Sequence, residues 1–382
     1  MHSERALLIG ALRQAVAGAP TDLPREVNWP VFYQLCQAHK VTGLVYQGLL
    51  ESPDYWQTVP ETVQNVLKNA YMQAIFADSQ QEYIRMQLHS ALRQADVCHV
   101  FLKGADLKYC YPVPALRTMS DMDILVKTRD YPKIDAVCEK LGGKSYDGDG
   151  NHRNFYFPGK VCVEFHPNLV HPGIPFGTEM NPGWQFVTPE GDMTPEGKYL
   201  HAMSHLVGHF AAGGVGVRFV LDIWMLQNRA KDAIDKDYVN QKLKEYGLLE
   251  FAKNIEALAE YWFGQGACTP VLQELGAYIF NSGSHGSTEL EQLNALSLSA
   301  GGNRVSALLS KAFYPRQELE SRYPWCQGKP WLLPAAWCNR AWEVATKRPH
   351  LVKQWAAGTG QYTKEEIKKQ QEKLARFGLK RP

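Results

Sequence analysis

The segment at positions 120–126 constrains the fold of this chain more than any other feature. It reads Ser-Asp-Met-Asp-Ile-Leu-Val, so acidic and apolar side chains alternate. Alternation with period two is typical of a strand, in which successive side chains point to opposite faces of a sheet. Asp121 and Asp123 therefore share one face. The other face must be buried in a core, and it carries Met122, Ile124 and Val126.

A second segment with the same period, at positions 161–166, reads Val-Cys-Val-Glu-Phe-His. Its apolar residues form one face, and Glu164 and His166 lie on the other. Three carboxylates, Asp121, Asp123 and Glu164, on two strands of one sheet supply the oxygen ligands that a pair of Mg²⁺ ions prefers. An Asp-x-Asp pair taken alone also occurs on solvated strands, so the acids by themselves leave both interpretations open.

The spacing of apolar residues divides the chain into helical ends and a central sheet. The short apolar segment from Val97 to Leu102 is predicted to be a buried strand, and the helical spacing of apolar residues ends there. Further strands are predicted at 124–126, 154–157 and 161–166. The chain is therefore predicted to be α+β, with a long helix from Pro60 to Gln94. The predicted units are an N-terminal helical region at 1–96, a sheet core at 97–170, a Pro/Gly-rich loop at 171–195, a helical domain at 196–361 and a basic helical tail at 362–382.

Composition narrows the class of protein. A formal charge of +2 is nearly balanced, so we expect no nucleic acid partner, since proteins that bind RNA usually carry a larger basic excess. The eight cysteines show no close pairs and are predicted to be reduced thiols. There is neither a signal-peptide core nor a run of eighteen apolar residues, so we expect no membrane segment and a cytoplasmic location.

Several short motifs occur in a fixed order around the two acidic segments. They are Phe101-Leu102-Lys103-Gly104, Tyr111-Pro112, Arg117, the 120–126 segment and Glu164-Phe165-His166. In this order and density the chain resembles the nucleotidyltransferase superfamily with the polymerase-beta-like fold, in particular an uncharacterised bacterial branch. The resemblance covers about seventy residues. It implies a small mixed-sheet nucleotidyltransferase-like domain flanked by helical regions.

The resemblance also implies a reaction. Asp121, Asp123 and Glu164 would be the catalytic residues and the ligands of two Mg²⁺ ions, and an NTP would donate a nucleoside monophosphate to a hydroxyl of a small-molecule or protein acceptor. Either Asp123 or Glu164 would help to remove the proton of that hydroxyl. From its place on the face of Glu164, His166 is predicted to contact substrate, to orient a carboxylate, or to be a histidine hydrogen-bonded at the end of a strand.

Four residues are predicted to bind the phosphates of the donor, namely Lys103, Gly104, Arg117 and Ser120. Superfamily members usually carry Gly-Ser after the first strand, where this chain has Lys103-Gly104. The departure leaves a second interpretation open, in which the domain is a catalytically silent ligand-binding or regulatory module. In that case Arg117 would pair with Asp121 and order the loop.

The segment at 201–209 carries three histidines at helical spacing, His201, His205 and His209. Three interpretations are open. The histidines line the cleft, with His205 in contact with substrate; two of the three bind zinc; or they pack between helices. Arg218 and Asp222 are four residues apart and are predicted to pair along one helix. The tail is predicted to be either an amphipathic helix that touches RNA or another chain, or a solvated helix packed by its apolar edge.

Overall fold

The computed structural model describes residues 3–146, 152–170, 176–229, 233–283, 286, 288–299, 316–347 and 361–380. Parts of the predicted loop at 171–195 and of the predicted helical domain at 196–361 lie outside the described residues. Arg381 of the predicted tail also lies outside them.

Five helices precede the sheet, and their ends follow from local sequence. They are α1 (Ser3–Ala17), α2 (Trp29–Ala38), α3 (Thr42–Leu50), α4 (Pro53–Trp56) and α5 (Glu61–Gln94). Asn28 caps α2 by accepting a hydrogen bond from the amide of Val31, because Asn side chains satisfy the free N–H groups of a first turn. Helix α5 runs for 34 residues without a break.

The central sheet is mixed and has five strands. They are β1 (His99–Phe101), β2 (Asp121–Val126), β3 (Lys144–Tyr146), β4 (Arg153–Phe157) and β5 (Val161–His166), in the spatial order β1-β2-β5-β4-β3. β2 and β5 are parallel neighbours, whereas the other pairs are antiparallel. Two short helices, α6 (Gly104–Leu107) and α7 (Tyr131–Lys140), connect strands.

Both faces of β2 are covered. Met122, Ile124 and Val126 pack with residues of α5 and α7, such as Leu88 and Ile134. On the opposite face, Leu125 joins the core formed by the helical regions. The first part of that second face carries the two aspartates, of which Asp123 is buried and Asp121 is half-buried. The fold therefore leaves one end of β2 for polar groups.

Helices dominate the remainder of the described chain. They are α8 (Pro195–Ala211), α9 (Val217–Arg229), α10 (Lys236–Glu245), α11 (Leu249–Phe263), α12 (Pro270–Ser282), α13 (Thr288–Ser297), α14 (Arg316–Arg322), α15 (Leu333–Lys347) and α16 (Lys364–Arg376). Leu8 of α1 and Ile255 of α11 are fully buried in the same core, so helices from the two ends of the chain pack together.

The last helix, α16, begins with a capping box formed by Thr363 and Glu366. Ile367 and Leu374 are buried, and the following Phe377 is fully buried in the main core. The apolar edge of the tail is thus packed against the helical region. Among the described residues, no helix combines the length and the apolar character that crossing a bilayer requires.

The α+β architecture predicted from sequence is confirmed, with helices on both sides of a mixed sheet. The long helix from Pro60 and the strand at 161–166 have nearly the predicted bounds. Strand β3 was not predicted. Lys144 and Ser145 are exposed, and such a short edge strand has no buried face to give it a pattern.

Candidate functional site

The register of β2 against β5 brings two of the predicted acids together. Asp123 lies opposite Glu164, and Asp121 lies opposite Cys162. Because alternate residues share a face, Glu164 and His166 point to the same side as Asp123. The sequence placed these residues on matching faces, and the parallel pairing places them side by side.

A cluster of three potential metal ligands results, formed by Asp123, Glu164 and His166. Their ligand atoms lie within 4.8 Å of one another. His166 Nε2 is 2.7 Å from Asp123 Oδ1 and 3.4 Å from Glu164 Oε2. This nitrogen is buried and within reach of both carboxylates, so a proton or a cation held there would be stabilised by both acids. Asp121, which was predicted as the third ligand, is not in this cluster.

Lys103 enters the cluster from the end of β1. Its Nζ donates to Asp123 Oδ1 at 2.9 Å. Its backbone has a φ of 47°, a conformation that residues other than glycine rarely adopt. The next residue, Gly104, is buried, and an added Cβ would lie 2.5 Å from Arg117 Nη1. Gly104 thus fulfils a packing requirement at the turn, because no larger residue fits there.

The charges of the cluster set the ionisation of its members. Burial alone would raise the pKa of Asp123, but Lys103 and His166 outweigh burial and hold that pKa below its ordinary value. Burial would also lower the pKa of His166, whereas its contacts with Asp123 and Glu164 raise it. Contact with His166 lowers the pKa of Glu164. The arrangement therefore favours ionised carboxylates beside a protonated imidazole.

Asp121 lies at the start of β2 and is half-buried. Burial and the negative charge of Asp123 raise its pKa. The preceding Ser120 is exposed, and its Oγ accepts a hydrogen bond of 3.2 Å from Lys40 Nζ. Lys40 follows α2, and its backbone φ is 54°. Sequence reasoning missed Lys40, because it is eighty residues from Ser120 and no local pattern marks it.

Tyr146 of the edge strand β3 and His152, just before β4, also lie close to Glu164. The hydroxyl of Tyr146 donates to Glu164 Oε1 at 3.4 Å. His152 Nε2 is 3.9 Å from Glu164 Oε2, and its ring centroid is 5.0 Å from that of His166. Tyr146 was also missed, because it belongs to the unpredicted strand β3.

Arg117 forms a buried ion pair with Asp222 of α9. Its Nη2 donates to Asp222 Oδ2 at 2.6 Å and its Nε to Oδ1 at 3.0 Å, and both side chains are about 5% exposed. Tyr111 donates its hydroxyl to the same carboxylate at 2.6 Å. Arg117 does not pair with Asp121, which was the alternative weighed from sequence.

The predicted ion pair between Arg218 and Asp222 is wrong. Arg218 instead donates to the backbone carbonyl of Thr118, just before the acidic strand. Asp222 is taken by Arg117 because the carboxylate faces the sheet domain and not along its own helix. Burial and the charge of Arg117 lower the pKa of Arg218 to about 10.

The three histidines of α8 differ in their surroundings. His201 is buried, and its Nε2 lies 3.1 Å from the carbonyl of Leu169. His205 and His209 lie with their Nε2 atoms 3.1 Å apart, and both rings pack near Phe219. In the described part of the chain, no third ligand group joins this pair, which leaves the zinc hypothesis without a complete site.

A narrow pocket lies between the sheet and α8. Its lining includes Lys103, Lys198, His201, His205 and Phe219. Lys103 therefore lines this pocket and also contacts the acid cluster. His205, predicted as a substrate contact, lies in the wall of the pocket, where burial lowers its pKa well below the ordinary value.

A small mixed sheet with acids on two adjacent parallel strands, flanked by helices, is the arrangement that the sequence motifs imply for a nucleotidyltransferase-like core. A family model described as uncharacterised nucleotidyltransferase matches residues 25–264, well over half of the chain. The chain belongs to this family. Searches of curated proteins and of solved structures gave no significant match.

Proposed function

We propose that this protein transfers a nucleoside monophosphate from an NTP to a hydroxyl of a small-molecule or protein acceptor. The observation that carries the proposal is the convergence of Asp123, Glu164 and His166 beside Lys103, within the region matched by the nucleotidyltransferase family. In the reaction, the acceptor oxygen forms a bond to the α-phosphorus. The bond from that phosphorus to the bridging oxygen breaks, and pyrophosphate leaves.

The cluster fits divalent cations. His166 Nε2 lies 2.7 Å from Asp123 Oδ1 and 3.4 Å from Glu164 Oε2, and a bound cation would take the place of the proton that these carboxylates stabilise on the imidazole. Asp123 and Glu164 would hold Mg²⁺, and Asp121, on the same face of β2, would complete a set of three carboxylates. When bound, Mg²⁺ neutralises charge on the phosphates and acidifies the attacking hydroxyl.

Protein side chains accept the proton and bind the phosphates. Either Asp123 or Glu164 accepts the hydroxyl proton. Lys40 and Lys103 bind the phosphates, since their ammonium groups contact Ser120 and Asp123 at the same end of the acidic strand. Gly104 permits the close turn between β1 and α6, and Ser120 contributes its hydroxyl. Arg117 is neutralised by Asp222, and its guanidinium packs against Gly104, so it supports this turn.

The proposal is tested by isothermal titration of each NTP in the presence of Mg²⁺. We expect at least one NTP to bind the wild type, and Glu164→Gln and the double variant Asp121→Ala/Asp123→Ala to bind it at least tenfold more weakly, since each removes metal ligands. The matched control is Glu139→Gln, because Glu139 is an exposed carboxylate on α7.

Two outcomes would contradict the proposal. One is that no NTP binds the wild type. The other is that an NTP binds the wild type and the double aspartate variant equally well, with or without Mg²⁺. The second outcome would support a catalytically silent binding module, which the Lys103–Asp123 ion pair favours by neutralising one acid without a metal.

A further inference from the structure

Helix α5 exposes a stripe of large apolar side chains. Met72, Phe76, Tyr83 and Met86 are 56%, 68%, 63% and 60% exposed. Their separations of four, seven and three residues place them on one side of the helix, with Ser79 at the centre. The buried residues of α5 lie on the opposite side of the helix. They are Leu67, Ala74, Ile84, Leu88 and Leu92.

The same surface carries no charge. From Asn69 to Gln87, every exposed residue of α5 is uncharged. The charged residues in this stretch, Asp78, Glu82 and Arg85, are turned to the flank, where the two acids bind Lys108. A solvated helix face normally carries charges, whereas the centre of a protein interface lacks them and is rich in Met, Tyr and Phe.

The order of residues along the stripe is nearly the same in both directions. Outward from Ser79, an aromatic residue comes first on each side, Phe76 or Tyr83, and a methionine comes next, Met72 or Met86. A two-fold interface uses the same patch on both copies, so the patch must be complementary to itself. An antiparallel pair of α5 helices crossing at Ser79 meets this condition.

The centre of the stripe also suits close approach. Ser79 is small, and its hydroxyl donates to the carbonyl of Phe76 at 2.7 Å. Its polar group therefore keeps a partner when solvent is excluded, and its burial leaves no unsatisfied donor. A larger central residue would hold two helices apart.

We propose that α5 of one copy pairs antiparallel with α5 of a second copy to form a homodimer centred on Ser79. The four large side chains offer roughly 500 Å² on each copy, so the pair reaches about 1,000 Å² before its polar flanks are counted. That area meets the lower bound for a specific interface. Met72 then lies against Met86 of the second copy, and Phe76 against Tyr83 of the second copy.

The dimer interface does not cover the acid cluster. Helix α5 covers the face of the sheet that carries Met122 and Ile124, whereas Asp123 points to the opposite face. The inference thus does not depend on the proposed function, and NTP binding can be measured separately for dimer and monomer.

Analytical ultracentrifugation of the full chain over a range of micromolar concentrations tests the proposal. We expect the wild type to be a dimer, and Phe76→Lys and Tyr83→Glu to be folded monomers as judged by circular dichroism. The double variant Phe76→Lys/Tyr83→Glu should regain the dimer, because each introduced charge faces its opposite across the axis. The control Val31→Glu changes an exposed apolar residue of α2 and should stay dimeric.

A milder pair, Met72→Gln/Met86→Gln, checks the same surface without introducing charge and should weaken the dimer at least tenfold. A wild type that is monomeric at every concentration would overturn the proposal. So would a dimer that persists in both single charge variants, since it must then use another face.

Discussion

At the scale of single residues, the turn after β1 combines backbone strain with an ion pair. Lys103 adopts a positive φ that costs a residue with a Cβ about 1 kcal/mol. The conformation places its ammonium group 2.9 Å from Asp123. A strained backbone that persists beside a cluster of buried charge is typical of functional sites, where the surrounding structure compensates for it.

The strain predicts that a glycine variant at position 103 is more stable than an alanine variant. Lys103→Ala and Lys103→Gly both remove the ion pair, but only the glycine variant relieves the positive φ. We expect Lys103→Gly to be the more stable of the two by about 1 kcal/mol. Urea denaturation monitored by circular dichroism measures the difference, and an alanine variant of equal or greater stability would show that the turn is not strained.

Lys40 is the residue whose assignment depends most on the three-dimensional structure. Its ammonium group is half-buried near Ser120, and burial followed by the charge of Arg218 lowers its pKa. An ammonium group so placed gains a partner when a triphosphate binds. Loss of one charge-assisted contact costs about 1.5 to 3 kcal/mol, which is roughly a 10- to 100-fold loss of affinity.

We therefore expect Lys40→Met to weaken NTP binding by that factor in isothermal titration. Its control is Lys244→Met, which removes an exposed ammonium group on α10. Equal NTP affinity in the Lys40 variant and the wild type would remove Lys40 from the phosphate site.

At the scale of elements, a buried carboxylate links α9 to the segment that precedes β2. Asp222 accepts hydrogen bonds from Arg117 and Tyr111, which lie more than a hundred residues earlier in the chain. Both side chains are buried, so loss of the carboxylate leaves a buried guanidinium charge unpaired.

We expect Asp222→Asn to destabilise the protein by about 3 to 5 kcal/mol in urea denaturation, because the amide cannot neutralise Arg117. Asp237→Asn, at an exposed acid of α10, should change the stability little. If both variants lose the same small amount, the buried pair does not hold α9 in place.

At the scale of the whole molecule, helices from both ends of the chain share one core, and His39 lies at their junction. Its Nδ1 accepts a hydrogen bond from the amide of Val217 at 3.2 Å, and its ring packs edge-on against Phe280. Burial, followed by the charge of Arg5, lowers the pKa of His39 to about 4. The ring is thus held neutral in the folded protein.

This shift predicts how stability depends on pH. Above about pH 6.5 the ring is neutral in both folded and unfolded protein, and its contribution is complete. As the pH falls towards 4, the unfolded chain takes up the proton first, so stability is lost, on the order of 3 kcal/mol. His39→Asn keeps an acceptor near Val217 without titrating, and should lose less stability over this range in urea denaturation. An identical pH dependence in both proteins would contradict the assignment.

The sequence by itself determined the elements with a clear hydrophobic period and the acidic faces, but not the short edge strand β3. The period of 120–126 and 161–166 predicted β2 and β5, and the unbroken helical spacing after Pro60 predicted α5, because these signals lie within one element. The ordered motifs around Lys103 and Glu164 were enough to indicate the family that the family model confirms.

Only the tertiary structure decided which side chains meet. Register placed Glu164 beside Asp123 and brought His166 into the cluster, while Asp121 stayed outside it. The packing of helices that are distant in sequence likewise brings Lys40 into hydrogen-bond contact with Ser120. Such contacts join residues separated by tens to hundreds of positions, and their geometry depends on how complete elements pack, which a local pattern of hydrophobicity does not encode.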